Sequence, residues 1–183
     1  IGADARATNE TEFALSSGEL GDLGFYYAAQ KIEIVLNGIT NGTSPGYATI
    51  GGAGSAFYTR EDCSYHCFAH AVARKSLSSS DPNFGDTAAF SVDTGNGLTC
   101  MFFCIKNING INYLVGTPRE LVNSNTMWYD ASFYGTEKIT VSVSGNDNAI
   151  EINLIPDDTN ETDNIFWTVF LQMTEVQTTG AEI

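Results

Sequence analysis

The sequence is poor in cationic residues: 8 Lys and Arg stand against 22 Asp and Glu, a formal charge of −14. Sequence-independent nucleic-acid affinity comes from Lys and Arg neutralising phosphates, so nucleic acid is not an expected partner. Anionic membrane surfaces are disfavoured for the same reason. Neutral partners, such as glycans or zwitterionic lipid headgroups, stay open. No apolar run approaches the about 18 residues a membrane-spanning helix needs.

Chemistry-bearing residues are also scarce. His66 and His70 are the only two histidines. No Gly-x-Ser-x-Gly elbow, phosphate-cradling loop or His-Glu-x-x-His motif occurs. Asp157, Asp158, Glu161 and Asp163 read as a solvated loop rather than as a paired acid and base. Asp93 and Asn96, or Asn146, Asp147 and Asn148, carry oxygens that could ligate Ca²⁺, but turn chemistry accounts for the same residues. The expectation is a protein that is not an enzyme and holds no cofactor or metal.

What the sequence does have is apolar content, 43% hydrophobic and 11% aromatic over 183 residues. That suffices for one domain across 1–183 with a sizeable core. Period-two runs dominate after residue 30: Lys31 to Leu36, Cys63 to Val72, Thr87 to Val92, Leu98 to Ile105, Ile139 to Val143, Ala149 to Ile155 and Ile165 to Met173. Turn residues at Asp93–Gly97 and Ser144–Asn148 mark two hairpins. The pattern predicts an all-β, antiparallel β-sandwich. Helical signals are few. An apolar stripe through Phe13, Leu20, Leu23 and Tyr27 and the Thr117-Pro118 start signal predict one or two short flanking helices. Residues 1–11 and 174–183 read as flexible termini.

The four cysteines form two matched pairs, Cys63/Cys67 and Cys100/Cys104. Residues four apart on a strand share a face, so two disulfides between the segments are expected. Antiparallel neighbours would join Cys63 to Cys104 and Cys67 to Cys100; parallel ones would join Cys63 to Cys100 and Cys67 to Cys104. Buried free thiols are the alternative. Cys63, His66, Cys67 and His70 would gather as zinc ligands on a helix, but on a strand the thiols and imidazoles take opposite faces. Sequons at Asn9, Asn41 and Asn160, together with an opening on Ile1, lead to the expectation of a secreted glycoprotein.

Tyr113, Trp128, Tyr129, Phe133 and Tyr134 crowd loop-like sequence between the hairpins. Their apolar faces and polar tips suit sugar stacking or a membrane interface, though some could simply fill a core. Tyr113, Trp128, Tyr129 and Tyr134 are the candidate ligand-binding residues.

The order of segments over roughly residues 12–155 resembles the actinoporins and the related fungal fruit-body lectins. The resemblance rests on an N-terminal Leu/Gly-rich stretch leading into Lys31-Ile-Glu-Ile34. It continues with Thr87–Val92, the turn at Asp93–Gly97 and Leu98–Cys104, and it closes with Ser144–Asn153. It implies a β-sandwich with flanking helices and an aromatic-lined phosphocholine or glycan pocket, placing Tyr113 and Trp128-Tyr129 at that pocket. The family's Ser and Pro fall on Cys104 and Lys106. Its Trp-Trp stretch is missing, and its basic first helix is acidic here (Glu19, Asp22), which argues against pore formation. The disulfides have no counterpart in that family. The expectation is therefore a lectin- or cytolysin-like recognition protein, with a self-assembling coat or matrix subunit as the alternative.

Overall fold

The computed structural model describes residues 12–19, 27–41, 44–50, 56–75, 96–120, 138–143, 148–156 and 164–178. All regular structure among them is β. The strands are β1 (Phe13–Glu19), β2 (Tyr27–Asn41), β3 (Gly46–Ala48), β4 (Phe57–Tyr58), β5 (Cys63–Lys75), β6 (Asn96–Ile108), β7 (Ile111–Leu114), β8 (Arg119–Glu120), β9 (Lys138–Val143), β10 (Ala149–Ile155) and β11 (Asn164–Thr178). They form two antiparallel sheets. The larger runs β1-β2-β11-β5-β6-β7, with β8 also on β6; the smaller runs β3-β10-β4, with β9 on the far side of β10.

The centre of the larger sheet is β11, paired along its whole length with β2, from Asn164↔Asn41 to Thr178↔Tyr27. Its other edge pairs with β5 from Ile165↔Lys75 to Gln177↔Cys63. Ile165, Trp167, Val169, Leu171, Met173 and Glu175 point inward and are buried. The five apolar ones meet Ile32, Ile34 and Leu36 of β2, Ala69 and Ala71 of β5, and Met101, Phe103 and Ile105 of β6. Ile150, Ile152 and Leu154 of β10 belong to the same cluster, so the two sheets share one core. The area this removes from water is the main stabilising term.

The sheets are joined at a corner. Beyond the stretch of β2 that β1 covers, the chain turns back through an Asn41↔Ser44 bridge and an Asn37↔Thr49 bridge. It then leaves as β3 to pair with β10, Tyr47 opposite Asn153. Gly38 permits this close crossing. A Cβ there would collide with the Leu154 methyl and come within 2.6 Å of the Tyr47 carbonyl oxygen. A second turn, Asn109-Gly110 between β6 and β7, has both residues at positive φ (51° and 79°). Asn-Gly tolerates that geometry in a two-residue hairpin.

Several expectations are corrected. The flanking helices are not seen among the described residues: Phe13–Glu19 is a strand on the edge of β2, with Phe13 opposite Glu33, and residues 20–26 and 121–122 lie outside the described residues. Arg119–Glu120 likewise pairs with β6. In both places a free sheet edge supplies backbone partners, and that outweighs a weak helical preference, diluted in the first segment by Gly18, Gly21 and Gly24. Residues 174–178, read as the start of a tail, complete β11. The two strands of the second predicted hairpin are paired, with Ile150 opposite Val143, while turn residues 144–147 lie outside the described residues. The predicted strand at 87–92, the turn residues 93–95 and residues 1–11 lie outside the described residues.

Gly38→Ala is expected to lower the unfolding free energy by about 1–3 kcal/mol, because the added methyl overpacks a corner closed partly by backbone. Urea denaturation measures it. A midpoint equal to that of the wild type would mean the corner can open.

Candidate functional site

The outer face of the larger sheet and the β2–β3 corner together form a groove of about 530 Å³. Asn37, Gly38 and Ile39 of β2, Tyr47 and Thr49 at the corner, and Phe166, Trp167 and Thr168 of β11 line it. The register puts Ile39 opposite Phe166 and Asn37 opposite Thr168. Tyr47 is 58% and Phe166 47% exposed, whereas Trp167 is 2% exposed and turned inward. The Trp167 indole N–H donates to Thr40 Oγ1 at 3.0 Å, which fixes the ring below the groove floor. Thr168 Oγ1 donates to Asn37 Oδ1 at 3.1 Å, leaving the Asn37 amide NH₂ as a donor to a ligand. Thr49 Oγ1 reaches the Asn37 carbonyl at 3.5 Å. Two aromatic faces, one aliphatic side chain and several neutral hydrogen-bonding groups therefore converge without a formal charge.

Of the predicted binding residues, Tyr113 is the one among the described residues. Tyr113 stands on β7 opposite Lys106 and is 49% exposed. It shares the outer face with Phe166 but lies three strand positions from β11, at the far edge of the larger sheet. Trp128, Tyr129, Phe133 and Tyr134 lie outside the described residues, as do the sequon residues Asn9 and Asn160. Asn41, the third sequon residue, is exposed at the end of β2. Tyr47 and Phe166 escaped the sequence reading for separate reasons. Tyr47 sits in turn-rich sequence. Phe166 belongs to an almost unbroken apolar run in which nothing local says which parity faces water.

The disulfide expectation is overturned. β5 and β6 are antiparallel neighbours, but the register sets His66 opposite Cys104, Cys67 opposite Phe103 and His70 opposite Cys100. Bridging across the strands would need Cys63 opposite Cys104. The observed pairing is offset from that by three residues, and an odd offset exchanges faces. Cys63 and Cys67 therefore point into the core, Cys100 and Cys104 point out, and all four are free thiols. His66 and His70 share the outer face while Cys63 and Cys67 do not, so the single-strand zinc cluster does not form. Among the described residues no group of three or more His, Cys, Asp or Glu side chains gathers as metal ligands.

Cys63 belongs to a polar cluster at one end of the core. Glu175, 1% exposed, meets Arg60, with Nη2 to Oε1 at 2.6 Å and Nε donating to Oε2 at 3.1 Å. The Arg60 backbone N–H donates to the Tyr65 hydroxyl at 2.7 Å. Cys63 Sγ donates to the Glu61 carbonyl at 3.3 Å. Burial, reinforced by the Glu175 carboxylate, pushes the Cys63 thiol up to about 11 and the Tyr65 hydroxyl upward as well. A thiol held protonated this way is a poor nucleophile, so the cluster works as an electrostatic clamp between the 60–65 segment and β11.

Next to it, a neutral network ties the sheets together. Asn107 Nδ2 donates to Thr59 Oγ1 at 2.9 Å, and Thr59 Oγ1 donates to Asn112 Oδ1 at 2.6 Å. Asn112 Nδ2 donates to the Ala149 carbonyl at 3.2 Å, and Asn148 Nδ2 to the Thr59 carbonyl at 2.7 Å. These groups are partnered within the fold and make a structural lock rather than a ligand site.

Compared with protein-family models, with curated proteins and with solved structures, the chain finds no match.

Two linked outcomes test the thiol assignment. Alkylation of the native protein should modify Cys100 and Cys104 and spare Cys63 and Cys67, with four thiols recovered after denaturation. Non-reducing peptide mapping that found any cross-link between the two segments would overturn it. The Cys63 thiol lies near 8.5 when unfolded and about 11 when folded. The unfolded chain therefore sheds that proton first as pH rises. The contribution is complete below about pH 8.5 and is lost progressively towards pH 11. Denaturation midpoints measured across that range should fall, and Cys63→Ala should flatten the decline.

Proposed function

We propose that the chain is a recognition protein whose β2–β3 corner groove binds a neutral ligand, a glycan or a zwitterionic lipid headgroup. The architecture behind this reading is a β-sandwich made from the two sheets. The observation that carries it is the pairing of exposed Tyr47 and Phe166 over neutral donors and acceptors from Asn37, Thr49 and Thr168. Aromatic faces stack on the C–H faces of sugars or on quaternary ammonium groups. Amide and hydroxyl groups at the rim then fix orientation. A formal charge of −14 favours such uncharged partners over anionic ones. Extracellular localisation belongs to the same reading and accords with the exposed sequon residue Asn41. The groove residues present no nucleophile–base pair, so the proposed role is binding without turnover.

A second reading, self-association, draws on a different observation. Val35, Ile39, Val72, Phe166 and Phe170 are exposed large apolar residues on one face of the larger sheet. A face of this kind suits a protein partner, including another copy of the chain.

Screening neutral oligosaccharides on a glycan array and pelleting with phosphatidylcholine liposomes supplies the probe. Tyr47→Ala and Phe166→Ala should each weaken binding about tenfold, the loss of roughly 1–1.5 kcal/mol of stacking, with little change in melting temperature. Sedimentation at two concentrations separates the readings. A mass that grows with concentration while neither probe binds would replace recognition with self-association.

A further inference from the structure

The register of β5 and β6 creates a pattern that neither strand shows alone. On the outer face, His66, Phe68 and His70 of β5 stand opposite Cys104, Phe102 and Cys100 of β6. The result is a ladder of three rungs: imidazole–thiol, phenyl–phenyl, imidazole–thiol. Directly opposite residues have Cβ atoms about 4.5–5.5 Å apart, within reach of one bridging atom. The central phenyl rings lie 4.7 Å apart between centroids. The His66 ring stacks on Phe102 at 5.8 Å and the His70 ring on Phe170 at 4.9 Å. A recess of about 240 Å³ opens beside the first rung, bounded by Lys31, His66, Phe68, Phe102, Gln172 and Thr174 among others. Lys31, the cation at its rim, is paired with Glu33 at 2.7 Å. His66 is exposed, and Cys104, His70 and Cys100 are half-buried.

We propose that each imidazole–thiol rung binds one soft closed-shell monovalent metal ion, Cu(I) being the biological candidate, held between the cysteine sulfur and the histidine nitrogen. Ligand number and charge select this ion. Each rung supplies two ligands, and the described residues gather no third His, Cys, Asp or Glu around either. Structural zinc takes four such ligands and calcium takes six to eight oxygens, whereas Cu(I) is satisfied by two and prefers thiolate sulfur. On binding, the thiol proton leaves to solvent as the S–Cu bond forms, with no change of oxidation state. Thiolate and Cu(I) then cancel, so a neutral complex lies against the phenyl surface. Zn²⁺ in the same rung would leave net positive charge on an apolar face, which is costly.

The test uses the reduced full chain, titrated with Cu(I) under anaerobic conditions against bicinchoninate, whose absorbance reports the copper it retains. The wild type should withhold two equivalents, Cys104→Ser one, Cys100→Ser one, and the double serine variant none. His66→Ala should keep the thiol yet weaken the first rung at least tenfold. All four positions face outward, so melting temperatures should stay near that of the wild type. The double variant retains buried Cys63 and Cys67. Copper held by that variant would place the ion elsewhere and overturn the proposal. Unchanged affinity in both His66→Ala and His70→Ala would show thiol capture alone and would also overturn it, as would tighter retention of Zn²⁺ than of Cu(I).

Discussion

Alternation along β11 is the constraint on which the rest of the molecule depends. Its odd-numbered residues from Ile165 to Glu175 are buried and its even-numbered residues from Phe166 to Val176 face outward. Pairing on both edges transmits that parity to β2 and β5, and β5 transmits it to β6. A slip of one residue at any of these pairings would exchange an inward row of aliphatic side chains for an outward row. The aliphatic core therefore holds the register, and the register holds every feature on the exposed face.

Burial of polar groups is kept to places where partners are supplied. Glu175 occupies the one inward β11 position that is charged, and Arg60 meets it there. Such a pair contributes little net stability against an apolar replacement, yet loss of one partner would leave an uncompensated charge. Thr59, Asn107, Asn112 and Asn148 close the same end of the core with neutral hydrogen bonds. This end of the molecule is pinned by specific polar contacts. The groove at the β2–β3 corner leaves the Asn37 amide and the faces of Tyr47 and Phe166 to solvent. The contrast separates structural from recognition polarity.

The outer face of the larger sheet shows how one surface can carry two chemistries. Near the corner, Ile39, Phe166 and Tyr47 are neutral and aromatic or aliphatic. Towards β6, the same face exposes imidazole and thiol groups in facing pairs. Both depend on residues that alternate with core residues and so are presented by a rigid scaffold rather than by loops.

Period-two apolar runs in 31–36, 63–72, 98–105, 139–155 and 165–173 determined an all-β antiparallel protein, because side-chain alternation is a property of a single strand. The free-thiol state, by contrast, was decided only in three dimensions. Matched four-residue cysteine spacing says that each pair shares a face; it does not say which face, and the β5–β6 offset puts the two pairs on opposite ones. Edge pairing turned Phe13–Glu19 and Arg119–Glu120 into strands where local spacing favoured helix, since an unfilled sheet edge lies far away in sequence. The groove has the same origin. Asn37, Tyr47 and Phe166 come from three segments, and only the close crossing at Gly38 and the β2–β11 register bring them together. Composition and periodicity are local and can be read residue by residue. Which strand lies beside which, and in what register, is set by the shared core, and the candidate sites follow from that choice.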